Sequence, residues 1–364
     1  MDYSGRQQRL RGDLRRHRLD ALLVTHLPNI RYLCGFSGSS GALLVLTDSS
    51  TLFTDGRYTQ QASAEVRAAK VKIVRNSPLI AAMEWLGRKA LSGGTKSHVV
   101  GIEAQYLTVA ARRSLSEAQS KRVRIKETAA LVERARMIKD ADEIQIIRSA
   151  VEHGAALFAA ALQVLRPGVR EVEVAAEMEY AARKGGAEGM SFETIIASGE
   201  RSALPHGRAS EATVAARGFV VCDFGVILHG YCSDRTRTVY MGAATGEARR
   251  VYAAVLASQQ AAIAAVRPGA SVSQVDGAAR KVLKQHGLAQ YFTHSTGHGV
   301  GLEIHEAPRV AQGQQEILRP GMVITIEPGV YLPGKWGVRI EDMVVVTEHG
   351  CEVLTPTQKE LIVI

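Results

Sequence analysis

Arg166-Pro167-Gly168 recurs as Arg267-Pro268-Gly269, and the same offset of 101 residues lays Val174 on Val275 and Gly186 on Gly287. Each copy reads as a helix, the Arg-Pro-Gly turn, a second helix with an Ala-Ala-Arg triplet (Ala181-Ala182-Arg183 and Ala278-Ala279-Arg280), then glycine. A β-rich pair of strands follows each, over 218–242 and 321–346. A duplication constrains a fold more tightly than composition does, because two copies of one supersecondary unit tend to bury like faces against each other. The C-terminal portion is therefore expected to be two related halves, each of two helices and a hairpin.

Ahead of the repeat, short β-rich runs alternate with helical patterns. Residues 20–26, 41–48, 50–55, 70–75 and 98–103 read as strands, and 59–69 and 81–91 as helices. This is an α/β unit of its own, assigned to residues 1–130. The second domain is assigned to 138–364 and opens with a long helix, capped by Asp140 or Asp142 and closed at Arg166-Pro167-Gly168. A chain of 364 residues has room for both. With 46% apolar and 22% charged residues it is not a disordered chain.

The net charge of +9 would permit nucleic-acid binding, but the basic residues are scattered through helical stretches such as Arg6 to Arg18 without interleaved aromatics. No nucleic-acid partner is expected. No apolar run approaches the roughly 18–20 residues of a membrane span, and the polar N-terminus is followed by no signal-like apolar segment. Cys34, Cys222, Cys232 and Cys351 show no Cys-x-x-Cys spacing and read as free thiols in a reducing compartment. A cytoplasmic protein without a membrane partner is the expectation.

The chemistry lies in the strand pairs. Asp223 and Asp234 are placed about a midpoint at Leu228 and His229, and Glu327 and Glu341 about Gly334 in Leu-Pro-Gly. If the turns fall there, each pair of acids faces across paired strands. Like charges so placed repel, so four converging carboxylates need compensation, and two divalent cations supply it together with one neutral imidazole. Oxygen and nitrogen donors without thiolate suit Mn²⁺, Co²⁺, Fe²⁺ or Zn²⁺. Arg339 precedes Glu341 by two and shares its strand face, where a guanidinium can orient the acids. Thr236 stands likewise to Asp234, with a hydroxyl for a bound solvent molecule. The segment His294 to Glu306, HSTGHGVGLEIHE, carries three histidines among glycines. By itself it fits a mobile loop, a metal site or a packed turn. An unbroken strand would turn His298 and His305 to opposite faces, so a bend or bulge is required for them to act together.

The segments CDFG (222–225), YCSDRTRT (231–238), HSTGHGVGLEIHE, TIEPGVY (325–331) and GVRIED (337–342), in this order, resemble the pita-bread metallopeptidases, in the branch of Xaa-Pro aminopeptidases and Xaa-Pro dipeptidases (prolidases). NIRYLCGFSGSSG (29–41) and LFTDGRY (52–58) resemble the creatinase-type N-terminal domain that accompanies this branch. The resemblance implies an α+β fold: a C-terminal pita-bread domain with a pseudo-two-fold repeat behind a smaller α/β creatinase-type domain. It implies Asp223, Asp234, His298, Glu327 and Glu341 as ligands of two divalent metals, with Mn²⁺ the expected ion. Asp234 and Glu341 would bridge, Asp223 would complete one ion, and His298 with Glu327 the other. It implies His206 beside the leaving group, His305 at the reacting carbonyl, His294 in the substrate pocket and Glu327 as general base.

The activity so implied is an aminopeptidase that hydrolyses the first bond of peptides with proline second, by means of a metal-bridging water. The alternative is a dipeptidase for Xaa-Pro, and a non-enzymatic pita-bread binding module is the reading from another class. A methionine aminopeptidase would not need the first domain, and a creatinase-type amidinohydrolase would lack the ligand set. A homodimer is implied by the resemblance alone.

Overall fold

The computed structural model describes residues 1–92, 97–355 and 358–364, and the chain divides into two compact units, Met1–Arg136 and Met137–Ile364. The first unit runs past residue 130 because the short helix Leu131–Arg136 belongs to it. Leu131 and Val132 are buried, and Arg136 Nη1 donates to Asn29 Oδ1 at 2.7 Å.

Among the described residues, six strands build the first unit: β1 (Ala21–Val24), β2 (Ala42–Leu46), β3 (Ser50–Asp55), β4 (Lys70–Val74), β5 (His98–Glu103) and β6 (Val123–Thr128). They lie in the order β4-β3-β2-β1-β5-β6. The β1–β2 and β2–β3 pairs are antiparallel, and β3–β4, β1–β5 and β5–β6 are parallel. The central strands β1 and β2 are buried along their whole length, which explains their unbroken apolar sequence. The edge strand β6, VRIKET, is half charged and buries fully only Val123, so its sequence gives no strand signal of the kind the other five give.

In the second unit the duplication is physical. The helices Ala141–Val164 and Glu171–Lys184 form the first half, and Gly246–Ala265 and Val272–Gln285 the second. Asp140 caps the first of these in a capping box with Glu143. Both turn glycines are left-handed, Gly168 at φ 86° and Gly269 at φ 82°. Gly168 N donates to Val214 O at 3.0 Å and Gly269 N to Leu318 O at 2.9 Å. Val214 N returns a bond to Val169 O and Leu318 N one to Ala270 O. The two turns are thus stitched to equivalent places by the same bonds. Each half also packs its own apolar core, around Phe158, Met178 and Phe224 in the first and around Val255, Val275 and Ile324 in the second.

Inside the helices lie the strands: β7 (Gly189–Met190), β8 (Ile195–Ser198), β9 (Gly218–Phe224), β10 (Val226–Leu228), β11 (Tyr231–Cys232) and β12 (Arg235–Met241), then β13 (Gly297–Gly299), β14 (Glu306–Val310), β15 (Val323–Ile326), β16 (Gly329–Leu332), β17 (Trp336–Arg339), β18 (Asp342–Val346) and β19 (Cys351–Val353). The sheets run β12-β9-β8 and β11-β10-β7 in the first half, and β14-β13-β15-β18-β19 and β16-β17 in the second. No helix among the described residues is long and apolar enough to cross a membrane.

Nothing lies within 4 Å of a methyl group added at Gly168 or Gly269, so Gly168→Ala and Gly269→Ala test backbone conformation alone. Each is expected to cost about 1–2 kcal/mol, the penalty of left-handed backbone for an L-residue. Two equal shifts in differential scanning calorimetry would match the repeat, and an unshifted transition in either variant would contradict the left-handed assignment of that turn.

Candidate metal centre

The two hairpins place their acids differently. The first turns at His229-Gly230, both at positive φ (47° and 83°), one residue later than the spacing suggests. As a consequence Thr236, not Asp234, stands opposite Asp223 in the β9–β12 pair. The expectation of two directly opposed aspartates is corrected: continuing this register sets Asp234 opposite Gly225, so the acids are diagonal neighbours on one sheet face. In the second half the β15–β18 and β16–β17 ladders share one register, Ile326 opposite Asp342 and Gly329 opposite Arg339. Glu327 and Glu341 fall opposite each other in the gap between the ladders. Their amides turn outward there, Glu327 N to Thr296 O at 2.8 Å and Glu341 N to Thr236 O at 3.2 Å. That second bond joins the two halves.

His298 is the middle residue of β13, where the register slips between His298 and Gly299 before the chain leaves the sheet. The loop back to β14 brings His305 edge-on to His298, with ring centroids 4.4 Å apart. This is the bend that the spacing of the two histidines demands. Gly297 permits it: a β-carbon there would sit 1.9 Å from Thr325 O.

Asp223, Asp234, His298, Glu327, Glu341, His206, His294, His305 and Arg339 all line one cavity of about 680 Å³ within the second unit. Donor atoms of Asp234, His298 and Glu341 lie within 4.8 Å of one another. His298 Nε2 is 3.5 Å from Asp234 Oδ2 and 3.6 Å from Glu327 Oε1. Burial, then His305, pulls the His298 pKa down to about 4, so the ring is neutral at pH 7. Its Nδ1 is 3.1 Å from Gly299 O, which places the proton on that atom. An Nε2 lone pair therefore faces an oxygen of each of two acids. Asp223 Oδ1 is buried without a hydrogen-bond partner among the described residues. Converging acceptors and an orphaned buried oxygen are what a divalent cation satisfies, so the residues fit a metal centre.

Protein charge offsets part of the cluster. Arg339 Nη2 is 2.5 Å from Asp223 Oδ2, and Arg339 Nε donates to Thr236 Oγ1 at 3.0 Å. Thr236 Oγ1 donates to Glu341 Oε2 at 2.7 Å, so its single proton is spent on a carboxylate rather than on solvent. Arg339 Nη1 donates to the Tyr331 hydroxyl at 2.6 Å, and that hydroxyl lies 2.9 Å from His294 Nε2. His294 Nδ1 lies 2.8 Å from Ser295 O. Burial, then Arg339, lowers the His294 pKa to about 4, so it is a neutral acceptor for Tyr331. Tyr331 was not singled out from the sequence. Its signal is the hairpin register: Arg339 pairs with Gly329, which puts Tyr331 two residues along on the same face. Asp276 was also missed. It sits on the helix Val272–Gln285 and accepts from Thr296 Oγ1 (2.8 Å) and Arg280 Nε (2.7 Å), while Arg280 holds the carbonyls of Phe292 and His294.

With the cluster uncompensated, burial first and then neighbouring acids raise the pKa of Asp234 and Glu341 well above the carboxylate range. Burial raises Glu327 to about 8, against the pull of Arg339.

Two family models match the chain: metallopeptidase family M24 over residues 145–348 and the creatinase/prolidase N-terminal domain over 6–138. A curated Xaa-Pro dipeptidase from Pyrococcus horikoshii is 38% identical over 348 residues, covering 94% of this chain and 95% of that protein. Among solved structures, an Xaa-Pro dipeptidase from Bacillus anthracis is 37% identical and covers both chains fully, with a TM-score of 0.94. An X-Pro aminopeptidase from Thermotoga maritima is 36% identical over 96% of this chain and 100% of that one, with a TM-score of 0.88.

Raised carboxyl pKa values fix the sign of a pH effect. For Glu327 the neutral form is favoured on folding, so its contribution is complete below its unfolded value of about 4.3 and is lost as pH rises through about 8. Chelated protein should therefore lose melting temperature steadily between these limits, and saturating metal should flatten the slope. Metal uptake at pH 7 should release protons, seen as a dependence of calorimetric heat on buffer ionisation enthalpy; buffer-independent heat would contradict the assignment. With the ligand geometry, the fold and the relatives in agreement, the chain belongs to metallopeptidase family M24 and is a metal-dependent peptidase of the pita-bread fold with a creatinase/prolidase N-terminal domain.

Proposed function

We propose that this chain is an Xaa-Pro dipeptidase, which places the dipeptide ahead of the longer peptides that its sequence motifs suggest first. The observation that carries the reading is Arg309. It stands opposite His298 in the β13–β14 pair, lines the cavity, and is exposed without an ion pair among the described residues. Opposed residues have β-carbons about 5 Å apart, so this guanidinium hangs one side chain's reach from the centre. A free carboxylate directly after the proline suits such a fork. The other cavity arginines are engaged, Arg208 with Glu193 (2.5 Å) and Arg339 with Asp223. The relatives named as Xaa-Pro dipeptidases agree with this choice, and the similarity to an X-Pro aminopeptidase marks its nearest competitor.

Asp223, Asp234, His298, Glu327 and Glu341 would hold two divalent ions, with Mn²⁺ the best fit to four carboxylates, one imidazole and no thiolate. When bound, the ions lower the pKa of water and polarise the scissile carbonyl. The protein supplies the rest. Glu327 takes the proton of the attacking water as general base and passes it toward the departing proline nitrogen. His305 donates to the oxygen of the reacting carbonyl as negative charge develops there. His206, in the loop after Pro205, contacts the proline side, and His294 with Tyr331 forms a neutral wall of the pocket. Arg339 holds Asp223, and Thr236 holds Glu341, which fixes the orientation of both acids.

Chelated enzyme reconstituted with Mn²⁺, Co²⁺ or Zn²⁺ should hydrolyse Xaa-Pro and leave Xaa-Pro-Yaa-Zaa intact. Preferred cleavage of the longer peptide would establish the aminopeptidase instead. Glu327→Gln should lose at least about 100-fold in kcat, with near wild-type turnover of the metal-loaded variant contradicting the base assignment. Arg309→Met should raise KM for Xaa-Pro about 10-fold to 100-fold, the worth of one charge-assisted pair, and leave hydrolysis of the Xaa-Pro amide unchanged. Equal losses on acid and amide would remove Arg309 from carboxylate recognition.

A further inference from the structure

Beside the metal cluster lies an ion pair that the reaction as described does not use. Lys139 Nζ is 3.3 Å from Glu306 Oε2, with the two side chains only 1% and 6% exposed. The other carboxylate oxygen, Oε1, accepts the amide of Glu303 at 3.1 Å. One carboxylate thus joins a buried ammonium to the backbone of the loop 300–305. Gly301 folds directly over it: a β-carbon there would lie 2.7 Å from both Glu306 oxygens. Cys232 N donates to Gly301 O at 2.8 Å and ties the far side of the loop to β11.

Lys139 is itself firmly held. Its amide donates to Gly321 O at 2.9 Å, Ile138 bridges to Met322, and Asp140 caps the helix that follows. Both anchors lead to the cluster, since Met322 precedes β15, whose end carries Glu327. His305 stands at the opposite extreme. It precedes Glu306 in the chain, and among the described residues no hydrogen bond holds its ring, which rests edge-on against His298. The ring is therefore placed by its backbone, and its backbone by Glu306. A buried carboxylate stays in one place and one charge state only while its partner is present.

We propose that Lys139 and Glu306 are a positioning pair for His305: the buried ion pair clamps the loop 300–305 so that the imidazole faces the reacting carbonyl. The pair also keeps the Glu306 charge, which borders the cavity, from joining the four carboxylates already there. The role assigned to His305 rests on the peptidase reading above, whereas the clamp itself is independent of it.

The test is a double-mutant cycle between Lys139→Met and His305→Ala in metal-saturated full-length enzyme, with hydrogen exchange read on the same proteins. Lys139→Met alone should lower kcat about 10-fold or more with KM within about 3-fold, the pattern of an interaction that matters in the transition state. Lys139→Arg should restore most of the loss. In the His305→Ala background Lys139→Met should cost little further, because residues acting through one another are not additive. Losses that multiply would show Lys139 acting elsewhere and overturn the proposal. The Glu303 amide should exchange at least about 10-fold faster in Lys139→Met than in wild type as its carboxylate partner loosens. Unchanged exchange would refute the clamp even if kcat fell. Should Lys139→Met fail to fold, Glu306→Gln leaves an acceptor for Glu303 and removes the ion pair, and the same cycle is run with it. If wild-type enzyme cleaves neither peptide, the peptidase reading fails, while the exchange measurement still decides the clamp.

Discussion

Four carboxylates converge on one cavity in the second unit, and the surrounding structure is arranged to make that tolerable. Asp223, Asp234 and Glu341 are buried, and burial together with the neighbouring acids disfavours the ionised forms of Asp234 and Glu341. Arg339 answers part of this directly, by its contact with Asp223 and through Thr236 with Glu341. The remainder calls for cations. The lone pair of His298 and the unpartnered oxygen of Asp223 have the character of ligands waiting for one. Such a centre is a device for function: the repulsion it stores when empty is the affinity with which it holds metal.

The duplication explains how one chain assembles it. Each half brings two acids on a strand pair backed by two helices, and the halves meet edge to edge. Arg237 of the first half reaches the Glu341 carbonyl and Asp342, and Thr238 exchanges hydrogen bonds with the Arg339 backbone. The halves are not used identically. The first contributes Asp223 from within a ladder and Asp234 from the break between β11 and β12, whereas the second contributes both glutamates from the break between its two ladders and adds all three histidines of the His294–Glu306 segment. Asymmetry of this kind lets one face bind metal while the other shapes a pocket for substrate.

Much of this was readable from residue order alone. The repeat, the long helix after residue 138, the nine cavity-lining site residues and Thr236 beside them follow from turns, spacings and motif resemblance. Three things were not. The first hairpin turns one residue later than its acids suggest, because His229 and Gly230 both take the left-handed conformation that a two-residue hairpin requires. The edge strand Val123–Thr128 hides among charges because only one of its residues is fully buried. The aminopeptidase came first in the motif reading because the motifs concern the acids and histidines of the cluster, whereas the carboxylate recognition proposed for Arg309 depends on its pairing with His298, which no motif carries.

The sequence by itself determined the elements and the inventory of chemistry, since turn glycines, capping residues and alternating strands act over a few residues and leave local signatures. Tertiary structure decided which groups share a carboxylate and which cavity arginine is left without an ion pair among the described residues. Lys139 meets Glu306 across 167 positions of chain, and Arg339 meets Asp223 across 116. No local pattern encodes such contacts, because their energy comes from burial and charge that exist only once the two halves have closed.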